Sequence, residues 1–143
     1  GVREFNNVYP PYGLHFDRGG LGEKRYFLFA DLNSNFFYNV EDINPPLDGQ
    51  PDELVDIFSI GGSSKIYDLC VGQRSGSGGG CGIPGLDVVF IRPNPDVKIR
   101  RSDDPLFDFS DAEIVIQTVT GECKRIVIWS TGQLSIDPTT PSC

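Results

Sequence analysis

Apolar residues recur at every second position in several short runs of the chain, the period of a strand with one face in a core. Over residues 12–17, Tyr12, Leu14 and Phe16 fall on one face, and Gly13, His15 and Asp17 on the other. Val97-Lys98-Ile99-Arg100 alternates in the same way, apolar inward and basic outward. A glycine-rich turn at 18–22 leads into residues 25–31, the expected antiparallel partner of the first strand. Residues 53–60 carry apolar side chains on both faces, which predicts a central strand. Gly61-Gly62 turns this run into residues 65–70, and residues 86–92 form a further strand closed by Pro93-Asn94-Pro95. Residues 112–119 and 123–130 predict a hairpin about Thr120-Gly121, with Ile114, Ile116, Ile126 and Ile128 inward. A last short strand is predicted over residues 133–137.

The segments between these runs read as loops. Residues 1–11 are irregular and end at Pro10-Pro11, which stops any helix arriving from upstream. Residues 71–85, rich in Gly and Ser, predict a surface loop that cannot pack a core. Residues 101–110 predict an acidic loop with Leu106, Phe107 and Phe109 tucked beneath it, and residues 137–143 a C-terminal tail. No repeat, helical periodicity or composition shift divides the chain. The expectation is one domain over residues 1–143, mainly β, antiparallel, two-sheeted, with about nine short strands.

Composition agrees with that class: 17 glycines, 11 prolines and 15 phenylalanines and tyrosines favour strands and turns over helices. The net charge is −8, a field that disfavours nucleic acid and anionic membranes. Lys98, Arg100, Arg101, Lys124 and Arg125 are the candidate basic patch against this background. No apolar run approaches the ~18–20 residues of a membrane helix. The chain contains no Met and begins at Gly1, which predicts a processed product or a piece cut from a longer chain. Its four cysteines form no CxxC pair, and a single histidine makes a zinc site a poor fit. Two disulfides in an exported protein fit better. Three pairings are possible, and Cys70–Cys81 with Cys123–Cys143 is preferred because each closes a local loop, worth ~2–4 kcal/mol apiece.

Little in the chain points to catalysis. The alternation makes His15 a surface-strand histidine, and no GxSxG elbow accompanies the serines. No phosphate-binding loop leads into a helix, so an enzyme is not expected. One stretch carries candidate ligand chemistry, FLFADLNSNFFYNVED at 27–42. Counted as an EF-hand-like loop, Asp31, Asn33 and Asn35 offer oxygens, followed by the Phe37 carbonyl, Asn39 and Asp42. Phe36 stands where such a loop needs Gly, and Asp42 is shorter than the bidentate Glu. The competing account is an Asx-rich turn that joins two strands. Calcium is thus an optional ligand, and no cofactor is required.

The order YGLHFD, RYFLFADLNSNFFYNVED, DELVDIFSI, LDVVFIRPNPDVKI and AEIVIQTVTGECKRIVIWSTGQLSID, spanning Tyr12 to Asp137, resembles the soluble region of GspH/FimT-type pseudopilins and minor type IV pilins. The resemblance implies a pilin-like β domain without its N-terminal hydrophobic helix, the segment that anchors the precursor in the membrane. It also implies a non-catalytic structural subunit, in a type IV pilus or type II secretion filament, on the cell surface or in the periplasm. Its partners would be other pilin or pseudopilin subunits. Some relatives take up DNA through basic residues near the C-terminus; here residues 133–143 hold no Lys or Arg. The alternative is a secreted β-sandwich carbohydrate-binding module, with structural calcium and with Tyr9, Tyr12, Phe36, Phe37 and Tyr38 as a stacking platform.

Overall fold

Strands account for most of the chain, as the alternation requires. The structure is a computed structural model that describes residues 11–18, 23–32, 36, 38, 53–76, 78–91 and 96–143. Eleven strands form among these residues: β1 (Tyr12–Asp17), β2 (Arg25–Ala30), β3 (Glu53–Ser59), β4 (Lys65–Val71), β5 (Gly80–Cys81), β6 (Gly85–Phe90), β7 (Val97–Arg101), β8 (Asp104–Phe109), β9 (Asp111–Gln117), β10 (Cys123–Trp129) and β11 (Leu134–Ile136). They make two antiparallel sheets, of order β3-β2-β1-β6-β7-β8 and β11-β10-β9-β4-β5. The chain therefore crosses from one sheet to the other after β3, returns after β5, and crosses again after β8. The first strand sits mid-sheet, paired to β2 from its own hairpin and to β6 from more than sixty residues on.

The core lies between the sheets. Phe16, Leu86, Val88 and Ile99 from the larger sheet meet Leu69, Val71, Ile114 and Ile128 from the smaller. The inward set expected for the β9–β10 hairpin is in place: Ile114 and Ile128 are buried, and Ile116 and Ile126 pack against the same cluster. On the opposite face of β1, Gly13 is a packing requirement. A Cβ there would stand 2.5 and 2.6 Å from ring carbons of Phe29, whose side chain lies across the strand.

Four sequence expectations need correction. Among the described residues there are eleven strands rather than about nine, the additions being β5 and β8. The run at 53–60 is an edge strand, not a central one, and Ile57 and Phe58 are exposed. Two-sided apolarity reads as two-sided burial, but here Phe58 covers Tyr26 on one face while Ile57 faces solvent on the other. The acidic loop at 101–110 is a β7–β8 hairpin with Arg101 opposite Asp104. Its charges and Pro105 are the marks of an edge strand, where unpaired backbone groups must be guarded. Only Phe109 of its three apolar residues is buried, while Leu106 and Phe107 are exposed. Finally, the loop at 71–85 does reach the core, for Ile83 is fully buried and its N–H donates to Leu69 O at 3.3 Å.

Candidate functional site

The two sheets close on each other unevenly. On the β6–β7 side the facing residues Leu86, Val88 and Ile99 are fully buried. On the β2–β3 side the sheets part, leaving an apolar cleft of about 380 Å³. One wall includes Phe16 and Tyr26; the other is made by Ile114, Ile116, Ile126 and Ile128. Cross-strand register carries both walls outward. Phe16 stacks on Tyr26 at 5.4 Å and Tyr26 on Phe58 at 5.2 Å, so an aromatic ladder runs to the exposed edge. Opposite it, Ile126 pairs with Ile136 and Ile128 with Leu134 across β10–β11. Leu134 and Ile136 are 60% and 65% exposed, so the inner face of the smaller sheet continues into solvent. Phe90, also exposed, lines the same cleft. The apolar lining of the cleft is thus continuous with exposed apolar side chains at the sheet edges.

The outer face of the larger sheet holds a different arrangement. His15 faces Phe27 on β2 and Asp87 on β6, and Asp87 in turn faces Arg100 on β7. The His15 Nδ1–H donates to Asp87 Oδ1 at 2.6 Å and Nε2–H to Asp17 Oδ1 at 2.9 Å. Burial pushes the imidazole pKa down, but its hydrogen bonds and charge pairing with Asp17 and Asp87 win, leaving it at about 10. The hydrogen bond from His15 holds the Asp17 carboxyl below its ordinary value. Burial pushes the Asp87 carboxyl up, opposed by His15 and by the backbone N–H of Tyr38. His15 is thus a largely covered, doubly paired imidazolium with its side chain 11% exposed, rather than the open surface-strand histidine expected from alternation. Held by two carboxylates, it is a fixed donor and offers no lone pair for general-base chemistry.

Phe36 and Tyr38, beyond β2 in the chain, lie against this face. Asp31 is fully buried and its Oδ2 accepts the Phe36 N–H at 3.0 Å. Phe36 has φ of 68°, an uncommon backbone state for a bulky residue. It sends its ring beneath Lys98 and Arg100, with the charged groups 5.6 and 5.4 Å from the ring centre. Tyr38 packs its ring 5.2 Å from His15 and 5.1 Å from Phe29. At Phe36 and Tyr38, then, the aromatic run lies against the sheet rather than forming a second strand beside β2.

The residues singled out from sequence fall as follows. The structure forms both preferred disulfides, Cys70–Cys81 and Cys123–Cys143. Of the candidate calcium ligands, Asp31 serves the Phe36 turn, while Asn33, Asn35, Phe37, Asn39 and Asp42 lie outside the described residues. The candidate basic residues do not form one patch. Lys98, Arg100 and Arg101 stand on β7, Lys124 and Arg125 on β10 of the other sheet. Carboxylates meet most of them: Asp108 pairs with Lys98 and Arg100, Asp103 with Arg101, and Glu113 with Arg125. Of the expected sugar platform, Phe36 and Tyr38 are engaged in the packing described above.

Two features were missed from sequence. Asp87 is a lone carboxylate in the run LDVVF, and such an exception in an apolar strand is itself a signal of a buried partner. The open cleft has a fainter trace, the alternation Leu134-Ser135-Ile136 in a short strand whose residues are all exposed. Among the described residues no helix is long and apolar enough to cross a membrane, and the two disulfides fit an exported protein. No family model matches the chain, and neither do any curated protein or solved structure.

Proposed function

We propose that the chain is a structural subunit of a pilin or pseudopilin filament, of the type IV pilus or type II secretion kind, and that it acts through protein–protein contacts. The observation that carries this reading is the unclosed apolar cleft, continued by Phe58, Leu134 and Ile136 onto exposed edges. In the family that the sequence resembles, an apolar helix precedes the β domain and packs in the filament core, and an open apolar surface on the domain suits contact with such a helix. The cleft offers that helix two carbon walls without a charged side chain in its lining. Burying apolar surface there is worth roughly 25 cal/mol per Å². The largely covered, doubly paired His15 favours the same class over an enzyme, since it stabilises the sheet instead of presenting a reactive group.

The test is location and assembly. Filaments sheared from cells that make this protein are probed with an antibody to residues 96–143, by immunoblot and by immunogold microscopy. Labelled filaments, lost when Leu134→Asp or Ile126→Asp replaces the native residue, are the expected result. A chain found only as a free secreted protein, with no filament labelled, overturns the reading.

A further inference from the structure

At the opposite edges of the two sheets, β8 and the turn before β5 flank a second, shallow and widely open depression of about 360 Å³. Its chemistry is unlike that of the apolar cleft. The lining is Gly78, Gly79, Arg101, Asp104, Phe107 and Phe109. Phe107 is 49% exposed, and its ring is set against buried Phe109 at 4.8 Å and 60°. One aromatic face is therefore offered to a ligand while the ring is backed from behind. Gly78 and Gly79 supply a floor without side chains. Gly79, at φ of 126°, could not carry a Cβ, which would stand 2.5 Å from Val71 O. Arg101 is held flat by Asp103, with Nε and one terminal nitrogen at 2.5 and 2.7 Å from the two carboxylate oxygens. That pairing uses two of a guanidinium's five donors. Asp104 contributes acceptors to the same lining.

From this geometry we infer that the concavity is a binding site for a neutral sugar residue, such as the terminal hexose of a glycan. Each alternative ligand class meets an objection. Arg101 is outnumbered by Asp103 and Asp104, so a phosphate or other anion gains no net attraction. An apolar ligand would bury Asp104 and the Arg101 donors that Asp103 does not engage, with nothing to offer them. A pyranose has an apolar C–H face for the Phe107 ring and hydroxyls that both donate and accept, matching Asp104 and Arg101. The depression is shallow and open to solvent, so it suits contact with one face of one or two rings rather than engulfment of a ligand. The site is separate from the filament reading: a chain that binds a glycoside but never enters a filament sinks one proposal and not the other.

Saturation-transfer NMR on the full chain tests it, with millimolar methyl glycosides of glucose, galactose, mannose and N-acetylglucosamine as probes. The expected result is transfer to at least one glycoside, abolished in Phe107→Ala and weakened severalfold in Asp104→Asn. Phe107 is half exposed, so its truncation should leave the fold intact, as the amide spectrum will report. If Phe107→Ala does not fold, Asp104→Asn decides. No transfer to any probe, or transfer unchanged in a folded variant, overturns the inference.

Discussion

His15 Nδ1 stands 2.6 Å from the Asp87 carboxylate, directly across the β1–β6 pair and more than seventy residues away in the chain. This contact joins the N-terminal hairpin to the middle of the sheet through a largely covered charge pair. Removing only the cation leaves Asp87, nearly inaccessible, without its partner. Breaking a buried pair from one side costs ~3–5 kcal/mol, whereas replacing both members with apolar residues is often neutral. His15→Leu should therefore lower the urea midpoint sharply, and His15→Leu with Asp87→Leu should recover much of the loss. Additive losses in the double variant would show that the pair does not couple.

The same cluster sets a pH signature. The His15 pKa rises from 6.5 to about 10 on folding, so its contribution is fully present below pH 6.5 and lost as pH climbs to about 10. Asp17 is shifted down, so its share is present above the unfolded carboxylate value and lost as pH falls through its lowered folded value. Asp87, shifted up by burial, works against Asp17 on the acid side. Stability measured by urea titration should decline from neutral pH toward pH 10 in the native chain. In His15→Leu that alkaline slope should flatten; an identical slope in both proteins would refute the assignment.

Gly13 gives a steric prediction. Its added methyl would meet the Phe29 ring at 2.5 Å and Val89 at 3.0 Å. Phe29 is fully buried beneath Tyr38, so the ring has little room to retreat. Gly13→Ala should cost ~1–3 kcal/mol, the range for overpacking, despite alanine's better fit to a strand backbone. Calorimetric melting of the variant checks this.

On the smaller sheet, Asp111 is fully buried and accepts the backbone N–H groups of Arg74 and Ser75 at 2.9 and 3.2 Å. It also takes the Ser75 hydroxyl at 2.5 Å. Arg74 is thereby aimed at Glu113 and Asp137, tying the 72–76 turn to the chain beyond β11. Asp111→Ala orphans these donors and should cost ~1–3 kcal/mol. Hydrogen exchange at the Arg74 and Ser75 amides should rise along with it.

Leu134→Asp separates folding from assembly. The side chain is 60% exposed on a terminal strand, so unfolding free energy should move by no more than ~0.5 kcal/mol. If the proposed filament role holds, incorporation should nevertheless fall severalfold, because the charge enters the surface proposed for partner contact. Wild-type incorporation would remove β11 from the interface.

The sequence by itself determined what depends on near neighbours. Period-two alternation placed β1, β7, β9 and β10, the glycine-rich turn at 18–22 placed β2, and Thr120-Gly121 marked the β9–β10 hairpin, because side-chain direction and turn chemistry are local properties. Short loop separations were enough to prefer the two disulfides that the structure forms. What only the tertiary structure decided depends on which strand lies beside which. Two-sided apolarity at 53–60 could not reveal that β3 ends a sheet. His15 looked solvent-facing because its cover, Asp87 and Tyr38, comes from distant segments. The cleft was hidden for the same reason, since the walls that part at β3 and β11 belong to different sheets and meet only when the chain has crossed between them.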